Sequence, residues 1–323
     1  KRIRLSSIVL QRPVIHLRRH ADKQWNFQRI FPSGPNAPRS RELRFGDYLV
    51  FSQLQIIDGT LVLTEPWDGA DTLRGARRDS VVRAALAQTE HEIRRSKEGL
   101  TQTRRFTHLR LDAPSVELND PDQPDKIVQL ARLDADISDP PFRLRNAAGP
   151  VRIRGDSVWL SIAHFDLPGS TGALSGKLWW GSDLPLRYDI KVVGDSVSLA
   201  DVAWVHPTLP RTGGGSMTLT IRNESTNLHI LDYALSDMDV RSVGSRLTGA
   251  MTFGVGGRVL QVKNVAVTVS PLDFDLLRVF NGGRFPVDWQ GQFFGTVRGR
   301  GATLDAFQVD DARLEFHDKH VPV

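Results

Sequence analysis

The sequence predicts a mainly β fold: an elongated, repetitive, twisted antiparallel β-sheet with a few short helices. Three observations predict it. Apolar and polar residues alternate with period two over most of the chain, as where Leu186, Tyr188, Ile190 and Val192 interleave with Arg187, Asp189 and Lys191. Short motifs recur: Gly155-Asp156-Ser157-Val158 returns 39 residues later as Gly194-Asp195-Ser196-Val197, and Pro210 and Gly215 have counterparts 76 residues on, at Pro286 and Gly291. Helical windows are few and short. Self-similarity at such spacings marks an array whose units bury their apolar faces by stacking on neighbours.

The chain has 323 residues, 40% hydrophobic and 24% charged, enough for two ordinary domains or one extended array. It has no cysteine, which excludes disulfides, cysteine-based zinc sites and thiol nucleophiles. The net charge is +5, but the basic residues are spread along the chain. No helix-turn-helix or aromatic-basic signature accompanies them, so nucleic acid is not an expected partner. No apolar run is long enough to span a bilayer as a helix. Lys1 opens inside a strand pattern without a signal peptide, and the expectation is that the chain is a piece of something longer.

Taken in order, Ile3 and Leu5 share one parity, and Ile15 and Leu17 resume alternation after Arg12-Pro13. Residues 25–31 read as a short helical turn or loop closed by Pro32, and 33–41 as a loop. Strands follow at 48–51 and 54–63, the second divided by Asp58-Gly59, a hairpin-type turn. Residues 67–105 break the alternation. Asp79 or Ser80 caps a helix there, with Val82, Leu86 and Ile93 on one face and Arg94, Arg95 and Lys97 among its charges. This reads as a solvated insertion, dispensable for folding. The expected domains are therefore an N-terminal β segment (1–66), a polar, partly helical insertion (67–105) and a repeat-built β-groove segment (106–323). Strands return at 107–111 and 115–118, and the array runs from Val151 onward. Short helices interrupt it at 199–205 and 272–280, the second capped by Ser270 with Pro271 in its first turn.

The chain carries no recognisable catalytic set: no His-Glu-x-x-His, no Gly-x-Ser-x-Gly and no phosphate-binding Gly-x-x-x-x-Gly-Lys. His16 and His20 lack a completing carboxylate, and His317-Asp318-Lys319-His320 reads as a solvated tail rather than a metal site. The glycines at 213–215 and 254–257 read as turns and bulges. The expectation is a protein that is not an enzyme and uses no cofactor or metal. Trp179 and Trp180 are adjacent on a strand, so they point to opposite faces.

Alternation gathers Leu174, Leu178, Trp180, Leu186, Tyr188, Ile190, Met217, Leu219, Ile221, Met251, Phe253, Val265, Val267 and Val269 as a candidate apolar groove. Such a face needs cover, and the chain supplies few helices to give it. Either the sheet closes on itself, or it stays partly open and acyl chains fill the groove.

The residues resemble the AsmA-like and TamB-like proteins of Gram-negative envelopes. Arg12-Pro13-Val14-Ile15-His16-Leu17 followed by Trp25-Asn26-Phe27 is similar to that family's strand and Trp-Asn segment, with Asp22-Lys23 where the family has Asp-Gly. Ile56-Ile57-Asp58-Gly59-Thr60-Leu61-Val62-Leu63 resembles its recurrent glycine hairpin. Ser270-Pro271-Leu272-Asp273-Phe274-Asp275-Leu276-Leu277 and Gly295-Thr296-Val297-Arg298-Gly299-Arg300-Gly301 resemble its C-terminal repeats. The resemblance implies a taco-like groove with an apolar concave face. It further implies a periplasmic location, an inner-membrane anchor through an N-terminal transmembrane helix that this sequence lacks, and movement of phospholipids between inner and outer membranes. Phospholipid acyl chains and membranes are the implied partners, with outer-membrane proteins as further ones. The alternative is a non-conducting β-repeat scaffold or adhesin that binds proteins through its strand edges.

Overall fold

Strands form wherever the alternation is regular, and the short helices fall where it stops. The computed structural model describes residues 3–22, 24–26, 49–67, 69–70, 73–88, 92–117, 125–180, 186–205, 209–255, 261–280, 283, 290–301 and 307–318. Strands take up 70% of these residues and helices 11%, so the fold is mainly β. Two compact units divide the chain, Lys1–Pro150 and Val151–Val323, rather than breaks after residues 66 and 105.

The first unit contains β1 (Ile3–Leu5), β2 (Ile8–Gln11), β3 (Val14–Arg18), β4 (Leu49–Phe51) and β5 (Leu54–Pro66). Helix α1 (Gly75–Ala87) follows, then β6 (Glu92–Ser96), β7 (Gly99–Ala113), β8 (Ser115–Glu117), β9 (Lys126–Ser138) and β10 (Pro141–Arg154), whose last residues pass into the second unit. The sheet here is mixed, not purely antiparallel. β2 and β3 both run parallel to β5, and β1 runs parallel to β4. The long connection after β3 explains this, because only a crossover lets the chain return in the same direction. β5–β7 and β7–β9 are antiparallel and put Ile15, Leu61, Phe106 and Ile137 in one row.

Asp58-Gly59 does not turn the chain. β5 continues through it, and both halves pair with β7, so the extra residue becomes a bulge with Asp58 at φ 54°. A Cβ on Gly59 would lie 2.7 Å from Ile56 Cγ2, which is why glycine follows the bulged residue. Of the Trp25-Asn26 pair, Asn26 clasps β3: its Nδ2 donates to His16 O (2.8 Å) and its Oδ1 accepts from Arg18 N (3.2 Å). The readings for residues 27–48 lie outside the described residues.

The 67–105 segment is only half as expected. α1 is the longest helix among the described residues, but Asp79 and Ser80 lie inside it; Arg74 occupies the cap without a side-chain bond. Beyond it, Glu92–Ser96 is a strand paired to β7, so Ile93, Arg94 and Arg95 belong to a sheet and not to a helical face. Ile93 is buried there, and Arg105 forks onto Glu92 at 2.9 and 3.0 Å.

The second unit is an antiparallel meander: β11 (Ser157–Leu167), β12 (Ser170–Trp179), β13 (Arg187–Ser198), β14 (Gly214–Asn223), β15 (Leu231–Ser242), β16 (Ser245–Val255), β17 (Gln261–Asp273), β18 (Gly291–Arg300) and β19 (Gln308–Asp318). Each strand pairs with the next. Helix α2 (Leu199–Val202), prolonged by a 3-10 turn at Ala203–Val205, joins β13 to β14, and α3 (Phe274–Phe280) joins β17 to β18.

The 39-residue repeat is not structural. Gly155-Asp156 forms the turn before β11, whereas Gly194-Asp195 lies inside β13 at a bulge. The longer repeat is real as strand, short helix, strand. Its hallmark is a buried serine at the start of the preceding hairpin's second strand. Ser170 Oγ accepts from Ser198 N–H and Ser245 Oγ accepts from Asp273 N–H, both at 2.8 Å. α3 starts at Phe274 rather than 272, because Leu272 stays in the ladder opposite Phe293; Ser270 and Pro271 are strand residues. Asp273 supplies the cap instead, its Oδ1 accepting from Asp275 N–H at 3.0 Å.

Candidate functional site

Directly paired residues in a sheet share a face, so the registers show which side chains stand together. In the second unit one row reads Leu174, Val192, Leu219, Leu235, Met251 and Val265 across β12 to β17. The next reads Ile190, Ile221, Tyr233, Phe253 and Val262, and at one strand end Leu178 stands opposite Tyr188. Towards the other end, Val267 faces Val297, and Val240, Leu247 and Val269 form a row. Twelve of the fourteen candidate residues therefore share one apolar face. The remaining two, Trp180 and Leu186, lie just outside β12 and β13 at its rim and are exposed.

The face is finished differently at its two ends. Where α2 and α3 sit, Met238, Val240, Val267 and Val269 are buried, and Leu199 of α2 packs on them. A cavity of about 80 Å³ remains beneath the helices, with Leu199 and Leu276 on one side and Met217, Leu235 and Met251 on the other. Phe274 extends the cover, its ring 5.1 Å from Phe293 and 5.9 Å from Phe316. At the opposite end Leu178, Tyr188, Ile221 and Phe253 are half-buried, and among the described residues no helix covers them. Burial raises the pKa of the Tyr233 hydroxyl in this region, and neighbouring Tyr188 adds to the shift.

At this end, Lys263 Nζ meets Asp232 Oδ1 (2.7 Å) and Glu224 Oε1 (3.2 Å). Burial works against the ammonium, but the two carboxylates outweigh it and hold its pKa above the ordinary value. Asn223 ties the same end together, its Oδ1 accepting from Tyr188 N–H at 2.7 Å and its Nδ2 donating to Leu228 O at 2.8 Å.

β15 contributes Tyr233, Leu235, Met238 and Val240 to the face, and none of these was singled out from sequence. Its alternation changes parity at Asp237, a bulged residue with φ 51°, so odd positions face inward before it and even positions after it. A parity change within an apolar run was the available signal. Leu199 and Leu276 were missed because they lie on helices too short to show periodicity.

Elsewhere, His317 is a strand residue whose Nε2 lies 2.8 Å from Glu315 Oε1. Lys319 and His320 lie outside the described residues, and among those described no cluster of metal-ligating side chains occurs. Gly213 and Gly214 allow close strand approach: a Cβ on Gly213, at φ 96°, would lie 2.0 Å from Arg241 O. No protein-family model, curated protein or solved structure matches the chain.

Proposed function

We propose that the apolar face of the second unit holds phospholipid acyl chains and lets them pass along it, in a periplasmic, inner-membrane-anchored envelope protein of the AsmA-like and TamB-like kind. One observation carries this reading. An apolar surface runs across successive strands, and at one end Leu178, Tyr188, Ile221 and Phe253 stay half-buried beside buried Ile190 and Val262, with no helix over them among the described residues. An apolar surface of this extent in a water-soluble protein is characteristic of a binding surface. No reaction chemistry is needed, and the protein acts as a conduit rather than as an enzyme. Exposed Val309, Leu314 and Phe316 on β19 favour the second reading, a scaffold that binds proteins along a strand.

The test is a matched pair of charges. Leu219 is on the apolar face, and Thr218 points the other way. Leu219→Glu lowers the phospholipid recovered per protein by mass spectrometry while the protein stays folded; Thr218→Glu leaves both unchanged. Wild-type protein carrying no lipid, or a Leu219→Glu variant that cannot fold, sinks the conduit reading and leaves the scaffold.

A further inference from the structure

The outward face of the second unit carries a ladder in which cations and indoles alternate. The Arg152 guanidinium lies 4.5 Å from the centre of the Trp159 ring. Lys177, paired with Trp159 across β11–β12, sets its Nζ 4.9 Å from that ring and 5.1 Å from Trp179. Trp179 in turn stands opposite Arg187 across β12–β13. The order is Arg152, Trp159, Lys177, Trp179, Arg187. These side chains point away from the apolar face, since their strand neighbours Val158, Leu178 and Tyr188 point into it.

Some cations elsewhere in this unit meet carboxylates: Arg222 meets Asp189 at 2.8 Å, Arg246 meets Asp239 at 2.7 Å, and Lys263 meets Asp232 at 2.7 Å. Lys177 and Arg187 form no ion pair among the described residues, and the shielded Nε of Arg187 has no hydrogen-bond partner. An indole attracts a cation through its quadrupole but does not neutralise it. Asp189 stands opposite Lys177 but is engaged by Arg222 at 2.8 Å, so the strip keeps a net positive charge that an anion would complete.

The ladder's position narrows the choice of anion. Trp179 ends β12 and Arg187 begins β13, at the strand ends away from α2 and α3. Beside them, Trp180 and Leu186 are 36% and 39% exposed. Cations, indoles and exposed apolar side chains at one edge match the headgroup zone of a bilayer. A nucleic acid fits less well, because two cations already lie over the Trp159 ring and leave little of it for a base to stack on.

We propose that this edge docks on an anionic phospholipid surface, with Lys177 and Arg187 meeting phosphates and Trp180 and Leu186 entering the interface. The ladder stands on its own residues, so docking does not require lipid in the apolar face. If that face does carry lipid, docking brings its Leu178 end to the bilayer.

The experiment is sedimentation of the full chain with vesicles of phosphatidylcholine, with and without phosphatidylglycerol, at low and physiological salt. The mixed vesicles bring the protein down, the neutral ones do not, and salt weakens the binding. Each cation at a membrane surface contributes about fivefold in affinity, so Lys177→Gln/Arg187→Gln binds roughly 25-fold more weakly. Arg246→Gln removes a carboxylate-paired cation at the opposite strand end and changes binding by less than about twofold. Should the double variant misfold, brominated phospholipid tests the unsubstituted protein. It quenches indole emission in mixed vesicles and not in neutral ones. The proposal is overturned if mixed vesicles fail to bind, if a folded double variant binds like wild type, if no quenching occurs, or if a single-stranded oligonucleotide displaces the vesicles through the same two residues. Recovery of lipid from the purified protein is a separate readout, so conduit and docking fail independently.

Discussion

Buried carboxylates show how single residues hold the irregular parts of this sheet. Asp134 is buried on β9, where its Oδ1 accepts from the N–H of Asn146, a residue at φ 52°, and Arg132 forks onto both oxygens. Burial alone would raise the Asp134 pKa, but Arg132 and the Asn146 N–H outweigh it and hold the carboxyl below its ordinary range. Asp134→Ala strands that N–H and should cost about 1–3 kcal/mol, read as an earlier midpoint in urea unfolding. Glu92 is shifted the same way by Arg105, and Glu224 by Lys263; for Asp136, burial is outweighed by Arg145 and His108. A depressed folded-state pKa means the unfolded chain takes up protons first. The stability from these groups is complete above the unfolded values near 4 and is lost as pH falls through the folded ones. The thermal midpoint should therefore stay level between about pH 8 and 6 and drop below about pH 4. In Asp134→Ala that acid drop should be shallower.

Among elements, those that join others matter more than their own polarity suggests. Residues 77–97 look like a solvated insertion, yet Val82, Ala85 and Ile93 are buried and β6 pairs along β7. Deleting 77–97 and bridging the ends with glycine and serine should lower the thermal midpoint by several degrees and expose the β7 edge; an unchanged midpoint would make the segment an ornament. The two serine latches make a second test. Ser245→Ala leaves the buried Asp273 N–H without an acceptor and should cost about 1–2 kcal/mol, with Ser170→Ala close behind. These contrasts show what the sequence could reveal. Strands with one parity throughout, such as β14 with Met217, Leu219 and Ile221, were plain. Strands that change parity at a bulge, such as β5 at Asp58 and β15 at Asp237, were split or overlooked, because alternation records a face only while the ladder stays regular. β6 was hidden because five residues with two adjacent arginines carry too little alternation to mark a strand. The cation–indole ladder was invisible for another reason: its five members come from four strands, and only the registers bring them together.

At the scale of the second unit, short helices cover one end of the apolar face and none among the described residues covers the other, where half-buried Leu178 and Tyr188 flank buried Ile190. Whether that end admits acyl chains separates a conduit from an ordinary core. Val269 on the sheet and Leu276 of the covering α3 are each 2% exposed, whereas Leu178 at the far end of the same face is half-buried. A carboxylate placed at Val269 finds neither water nor a cation, and leaving a charge unpaired in such a site costs about 3–5 kcal/mol. Val269→Glu should therefore unfold the unit at ordinary temperature. At Leu178 the charge reaches solvent by turning outward, so Leu178→Glu should fold with a loss of at most about 1 kcal/mol. If acyl chains enter at this end, they meet that charge first, and Leu178→Glu should retain much less phospholipid than wild type despite a near-normal thermal midpoint. Measuring midpoint and bound lipid on both variants gives distinct outcomes. Collapse of both variants would mean a face sealed along its whole length, which no lipid could enter. A stable Leu178→Glu that keeps its full lipid would mean the chains sit elsewhere.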